Sequence, residues 1–127
     1  MKKILIVDDS KDIRDLIIAT LDASEYKILE AGDAMRAIAV ATVEKPEFII
    51  MDVMLPGKIN GVEATKIIKS NPLTCQCDII MLTGTNEKEI QRDSIKAGAT
   101  CYFVKPFSPL DLLQRVEDIA LSHSQSA

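Results

Sequence analysis

The chain has 127 residues, about the commonest size for a single domain. Hydrophobic residues make up 47% of it and charged residues 27%, which supplies a full core beneath a hydrated surface. A net charge of −4 weighs against broad affinity for nucleic acid or anionic membrane, no apolar run is long enough to span a bilayer, and the expected setting is the cytoplasm.

The first apolar run, residues 4–7, follows Met1-Lys2-Lys3 and is too short for the apolar segment of a signal peptide. It ends in the acidic pair Asp8-Asp9. Ile13, Leu16, Ile17 and Leu21 then mark one face of a helix, with Asp9 and Ser10 as rival caps for its start. A second run lies at 27–29. The third, Phe48-Ile49-Ile50-Met51, ends at Asp52 and is followed at once by a Pro/Gly loop. Asn60 with Glu63 forms a capping-box pair for the next helix. Cys75-Gln-Cys77 lacks the spacing and the second ligand pair of a zinc site, and the sole histidine, His123, lies far away in sequence. These thiols and Cys101 read as reduced and structural.

The fourth run, 79–82, ends in Thr83-Gly84-Thr85. Asn86 with Glu89 repeats the capping box, and Gly98 suits the end of that helix. Only Ile90, Ser94, Ile95 and Ala97 are candidates to face inward, so this helix is expected to be the least firmly packed. The fifth run, 100–104, leads into Lys105-Pro106. Ser108-Pro109-Leu110-Asp111 opens a last helix whose apolar face is Leu112, Leu113, Val116, Ile119 and Ala120. The domain is expected to span 1–121, with 122–127 as a disordered tail or the start of a linker.

Runs one, three and four are unbroken by polar residues, as strands buried on both faces should be. Regular alternation with helices implies right-handed βα units and a five-stranded parallel sheet covered on both sides. Ligands of such sheets bind beyond the strand C-termini. Asp8, Asp9, Asp52, Thr83 and Lys105 all end strands there. Taken singly, each has an ordinary reading: a helix cap for Asp9, a turn for Thr83, a surface lysine for Lys105. Asp52 is the hardest to dismiss, because a carboxylate ending a buried strand needs a partner or a cation.

Clustered carboxylates suit a hard divalent cation, and Mg²⁺ needs few of them. An ionised aspartate held there can act as a nucleophile toward a phosphoryl group. The cation and a lysine can neutralise the transferring oxygens, while a threonine hydroxyl bonds one of them. Phosphoryl transfer onto Asp52 therefore accounts for the aspartates, the threonine and the lysine together. Rival site types lack their motifs: no G-x-G-x-x-G follows the first strand, and no G-x-x-x-x-G-K-S/T loop exists. An aspartyl phosphatase would place its nucleophile on the first strand with an acid two residues on, where Ser10 stands after Asp8.

Asp8-Asp9, the segment from Asp52 through Pro56-Gly57, Thr83-Gly84 and Lys105-Pro106-Phe107, in this order and spacing, resemble the receiver domain of bacterial two-component response regulators. The resemblance runs from residue 3 to about 121. It implies a doubly wound, flavodoxin-like α/β sandwich with sheet order 2-1-3-4-5 and five helices. It implies that Asp52 accepts a phosphoryl group from a histidine kinase or histidine phosphotransfer protein. Asp9, Asp52 and the Met54 carbonyl would then hold Mg²⁺, with Asp8 acting through water. Lys105 would pair with the phosphoryl oxygens, Thr83 would swing to bond one of them, and the Lys105-Pro106 peptide would be cis. Tyr102 stands where the family keeps its switching aromatic, so the fourth helix, fifth strand and fifth helix would carry the changed surface. That face would meet an output partner or domain, and homodimerisation through it is left open.

The chain departs from the family in one place. The loop 53–60 is one residue longer than usual, and Asn60 stands where aspartate is common. The departure removes no cation ligand. Met54 and Thr85 are two residues past Asp52 and Thr83, and neither orients an attacking water strongly. A long-lived aspartyl phosphate is expected, and weak self-catalysed phosphotransfer and hydrolysis are the only enzymatic activities implied. The competing readings are an interaction domain never phosphorylated, a relay shuttle without its own output, and a small flavin or nucleotide binder. The last lacks a phosphate loop and spare rim aromatics. No basic stripe or further helix offers DNA contact.

Overall fold

The computed structural model describes residues 2–21, 25–84 and 87–125, with side chains through 123. Strands and helices alternate: β1 (Lys2–Val7), α1 (Lys11–Thr20), β2 (Tyr26–Ala31), α2 (Ala34–Glu44), β3 (Phe48–Asp52), α3 (Gly61–Ser70), β4 (Asp78–Thr83), α4 (Lys88–Ala97), β5 (Cys101–Val104) and α5 (Pro109–Gln125). All strand pairs are parallel, in the order β2-β1-β3-β4-β5.

The period of two along each strand divides the core. Leu5, Val7, Ile49, Met51, Ile79 and Met81 point to one face, where α2 and α3 cover them with Ala34, Ala37, Ala41, Ala64 and Ile68. Ile4, Ile6, Ile50, Ile80 and Leu82 point to the other, under Ile17 of α1 and Leu112 and Val116 of α5. The three central strands are thus apolar on both sides, which is why their sequences show no alternation. Among the described residues no helix is long and apolar enough to cross a membrane.

Local signals decide most helix ends. Ser10 rather than Asp9 caps α1, its hydroxyl accepting from the Ile13 N–H. Asn60 and Glu63 form the full reciprocal box at α3. The Asp111 N–H donates to Ser108 Oγ at the start of α5, and Gly98 closes α4 at φ 112°. Two expectations change. Helix α4 starts one residue later than a cap at Asn86 implies: Glu87 is the N-cap and its side chain makes no capping bond, while Asn86 lies outside the described residues. Ile95 is 47% exposed, so the inward face of α4 rests on Ser94, Ala97 and a half-buried Ile90. Helix α4 is nonetheless thinly packed: its fully buried residues are only Ser94 and Ala97, whereas α1 sets Ile17 in the core with Ile13 and Ile18 packed against it. Helix α5 runs through Gln125, past residue 121, and His123 Nε2 lies 2.5 Å from Asp78 Oδ2 at the start of β4.

Parallel register then assembles the rim. Val7 pairs with Met51, Asp52 with Leu82, and Thr83 with Val104. Asp8, Asp52, Thr83 and Lys105 therefore emerge side by side at the C-terminal edge of the sheet.

Candidate functional site

Three carboxylates converge on that edge. Oxygens of Asp8, Asp9 and Asp52 all lie within 4.8 Å of one another. Asp8 and Asp52 are buried, at 1% and 3% exposure, while Asp9 faces solvent. Lys105 reaches in from the end of β5, its Nζ 3.2 Å from Asp8 Oδ2 and 3.3 Å from Asp52 Oδ2. The remaining oxygens take backbone donors: the Ser10 N–H donates to Asp8 Oδ1 at 2.9 Å and the Met54 N–H to Asp52 Oδ1 at 3.1 Å.

One ammonium against three carboxylates leaves a formal charge of −2. Burial raises the Asp52 carboxyl above its ordinary range, and the Asp8 charge raises it further, against the opposing pull of Lys105 and the Met54 N–H. Burial pulls the Lys105 ammonium down, but Asp52 and Asp8 together outweigh it and hold it above its usual value. The aspartate that lacks full compensation is thus the one ending β3. A compact all-oxygen donor set with an excess charge of two fits a hard divalent cation such as Mg²⁺, and the cluster is positioned to hold one.

Thr83 ends β4, 1% exposed, and its carbonyl accepts from the Lys105 N–H at 2.7 Å. The Lys105-Pro106 peptide is cis. Met54 is 70% exposed at the mouth of the cluster. Tyr102 lies apart from it, three residues before Lys105 on β5 and 38% exposed, beside Met81 in the register. Thr85 lies outside the described residues. In the long loop 53–60, Leu55 is buried and Gly57 adopts φ 102°. The Asn60 side chain is engaged in the α3 cap.

Two residues that shape the site give no motif signal. Gly61 begins α3 directly against β3: its N–H donates to the Val53 carbonyl at 2.9 Å, and a Cβ there would sit 2.0 Å from the Asp52 carbonyl oxygen. A glycine just after a helix cap is the only hint the sequence carries. Arg14, on α1, donates from Nη1 to the Asp8 carbonyl. By contrast, a Cβ at Gly84 would meet nothing within 4 Å, leaving the approach beside Thr83 open.

Residues 4–117 match the family described as the response regulator receiver domain. The phosphate regulon transcriptional regulatory protein PhoB of Pseudomonas aeruginosa is 40% identical over 118 residues, which are 93% of this chain and 51% of that protein. The alkaline phosphatase synthesis transcriptional regulatory protein PhoP of Bacillus subtilis is 39% identical over 93% of this chain and 48% of its own length. The chain spans about half the length of these curated relatives. Among solved structures, the chemotaxis response regulator CheY4 of Vibrio cholerae superposes with a TM-score of 0.85 at 34% identity, covering 94% of this chain and 98% of that one. A CheY-like receiver domain protein from Methanospirillum hungatei gives a TM-score of 0.90 at 29% identity, over 100% and 99% of the two chains. The Asp8, Asp9 and Asp52 cluster matches the phosphoacceptor site of receiver domains. With that cluster on the rim of a sheet of order 2-1-3-4-5, the chain belongs to the response regulator receiver domain family.

Proposed function

We propose that this chain is a phosphorylation switch in which Asp52 is the acceptor, and that the donor is a phosphohistidine of a partner histidine kinase or phosphotransfer protein. An Asp52 carboxylate oxygen attacks phosphorus, the bond from phosphorus to the donor imidazole breaks, and its electron pair returns to the ring nitrogen. Asp9, Asp52 and the Met54 carbonyl would hold Mg²⁺, with Asp8 acting through water, and the bound cation would neutralise the phosphoryl oxygens. Lys105 turns from the carboxylates toward a phosphoryl oxygen. The Thr83 hydroxyl bonds another, and Tyr102 turns inward as Thr83 moves. The altered surface is α4, β5 and α5, which meets an output partner or domain. The named relatives are transcriptional regulatory proteins matched over about half their length, and the output controlled here is reached through that face. The proposed unit is residues 1–121, and its setting is the cytoplasm.

The observation that carries this reading is the nearly buried Asp52 carboxylate held beside both Asp8 and the Lys105 ammonium. Lone strand-end carboxylates serve stability poorly, whereas this arrangement supplies a nucleophile, a cation site and a counter-charge at one point. The test is incubation with Mg²⁺ and acetyl phosphate, followed by intact mass. The native chain gains one phosphoryl group, Asp52→Asn gains none, and Lys105→Ala loses the surface change without losing the fold. Equal labelling of the native chain and Asp52→Asn would sink the assignment.

A further inference from the structure

Arg14 lies in α1 with its side chain only 17% exposed, and it ties three segments together. Its Nε donates to Glu30 Oε1 of β2 at 2.9 Å, and its Nη1 donates to the main-chain carbonyl of Asp8 at 2.5 Å. The Asp8 N–H is bound to the Ala31 carbonyl at 3.2 Å. Asp8 is thus fixed at both backbone ends, and the peptide plane leading into Asp9 is set by the guanidinium. Asp9 needs this. Its side chain is exposed and makes no hydrogen bond or ion pair among the described residues, yet it contributes an oxygen to the three-carboxylate cluster. Only the backbone aims it.

We infer that Arg14 is a positioning residue for the cation site, holding the Asp8 carbonyl so that Asp9 presents its carboxylate toward Asp8 and Asp52. The inference rests on the proposed cation role of this cluster. Guanidinium suits the task because its planar fork reaches a carboxylate and a carbonyl at once, whereas a lysine offers one point of charge. Residues that orient a cation's ligands act on affinity without touching the cation.

Charge and positioning predict opposite signs. Arg14 is itself a cation close to a cation site, so on charge alone its removal tightens divalent binding. If Arg14 aims Asp9, its removal weakens binding.

The test uses the full chain and Mn²⁺ as a paramagnetic probe, with affinity read from free-ion electron spin resonance. Arg14→Gln weakens Mn²⁺ binding roughly tenfold, and Arg14→Lys, which keeps the charge, weakens it by about threefold. In the cation-free protein, the backbone amide resonances of Asp9 and Ser10 shift in both variants while that of Lys105 stays put. Binding by Arg14→Gln equal to or tighter than that of the native chain overturns the inference and leaves the cation site standing. Native binding that Asp9→Asn and Asp52→Asn leave unchanged overturns the cation reading, and the inference with it. If Arg14→Gln does not fold, Arg14→Lys decides: an affinity equal to native overturns the inference.

Discussion

Gly61→Ala offers a direct test of how the acceptor strand is held. A methyl at this position would lie 2.0 Å from the Asp52 carbonyl oxygen, 2.9 Å from the Asp52 carbonyl carbon and 3.0 Å from the Val53 Cα. Carbon and carbonyl oxygen rest about 3.3 Å apart at their closest comfortable contact, so something must move by more than an ångström. Neither side yields easily. Strand β3 is buried along its whole length and bonded on both edges, and α3 is anchored by a complete capping box. Overpacking usually costs about 1–3 kcal/mol, and with rigid backbone as the obstacle we take about 3–4 kcal/mol. Alanine recovers roughly 1 kcal/mol through helix propensity and a less free unfolded chain. The net loss is about 2–3 kcal/mol, a fall in Tm of roughly 10 °C at this chain length. The matched control is Gly84→Ala, where the added carbon meets nothing within 4 Å and the change should stay within about 0.5 kcal/mol. Thermal unfolding by circular dichroism gives both values. Because the displaced atoms belong to Asp52, uptake of phosphoryl from acetyl phosphate should also fall in the folded Gly61→Ala protein. A Tm unchanged from native would refute the close-approach reasoning.

Further outcomes follow from the same physics. Asp52→Asn should stabilise the protein in chelator, since burial and the Asp8 charge oppose the ionised form more than Lys105 and the Met54 N–H favour it; urea unfolding in EDTA measures it, and a loss of stability would count against charge crowding. Lys69→Met should cost about 2 kcal/mol, because Lys69 Nζ donates to the Cys75 and Cys77 carbonyls at 2.7 Å each. Faster amide exchange in residues 71–77 is the local signature. Burial pushes the Cys77 thiol up to about 11 from an ordinary 9.0. Between those values the unfolded chain has released a proton that the folded chain retains, so stability falls as pH rises through that window, by roughly 3 kcal/mol in total. Unfolding titrations of native and Cys77→Ala protein should diverge only above pH 9, and parallel curves would show that the thiol ionises freely.

What was legible in the sequence was whatever is written locally. An unbroken apolar run followed at once by a carboxylate located Asp8 and Asp52, and period-two burial on both faces explains why those runs lack alternation. The Asn60 and Glu63 box closes within four residues, so spacing alone exposed it. The misses share a different cause. The Arg14 bond reaches across to Glu30, sixteen residues away, and His123 meets Asp78, forty-five residues upstream. Ile95 sits at an apolar spacing, but α4 buries Ser94 and Ala97 instead, and periodicity cannot decide which edge of a short helix turns inward. Gly61 is informative only once β3 and α3 are known to touch.

The proposed switch gives chemistry at Asp52 a route to β5. Lys105 is engaged twice: its ammonium bridges Asp8 and Asp52, and its backbone N–H donates to the Thr83 carbonyl at 2.7 Å. Thr83 and Lys105 are therefore joined at the ends of β4 and β5 before any phosphoryl group arrives. On the proposed reading, a new anion on Asp52 draws the ammonium away from Asp8 and the Thr83 hydroxyl toward itself, and both pulls act on the same inter-strand bond. Strand β5 is the sheet's edge, only four residues long and nowhere fully buried, whereas β3 and β4 are packed on both faces. On that same reading the softer member of the pair moves, and it is the one that carries Tyr102.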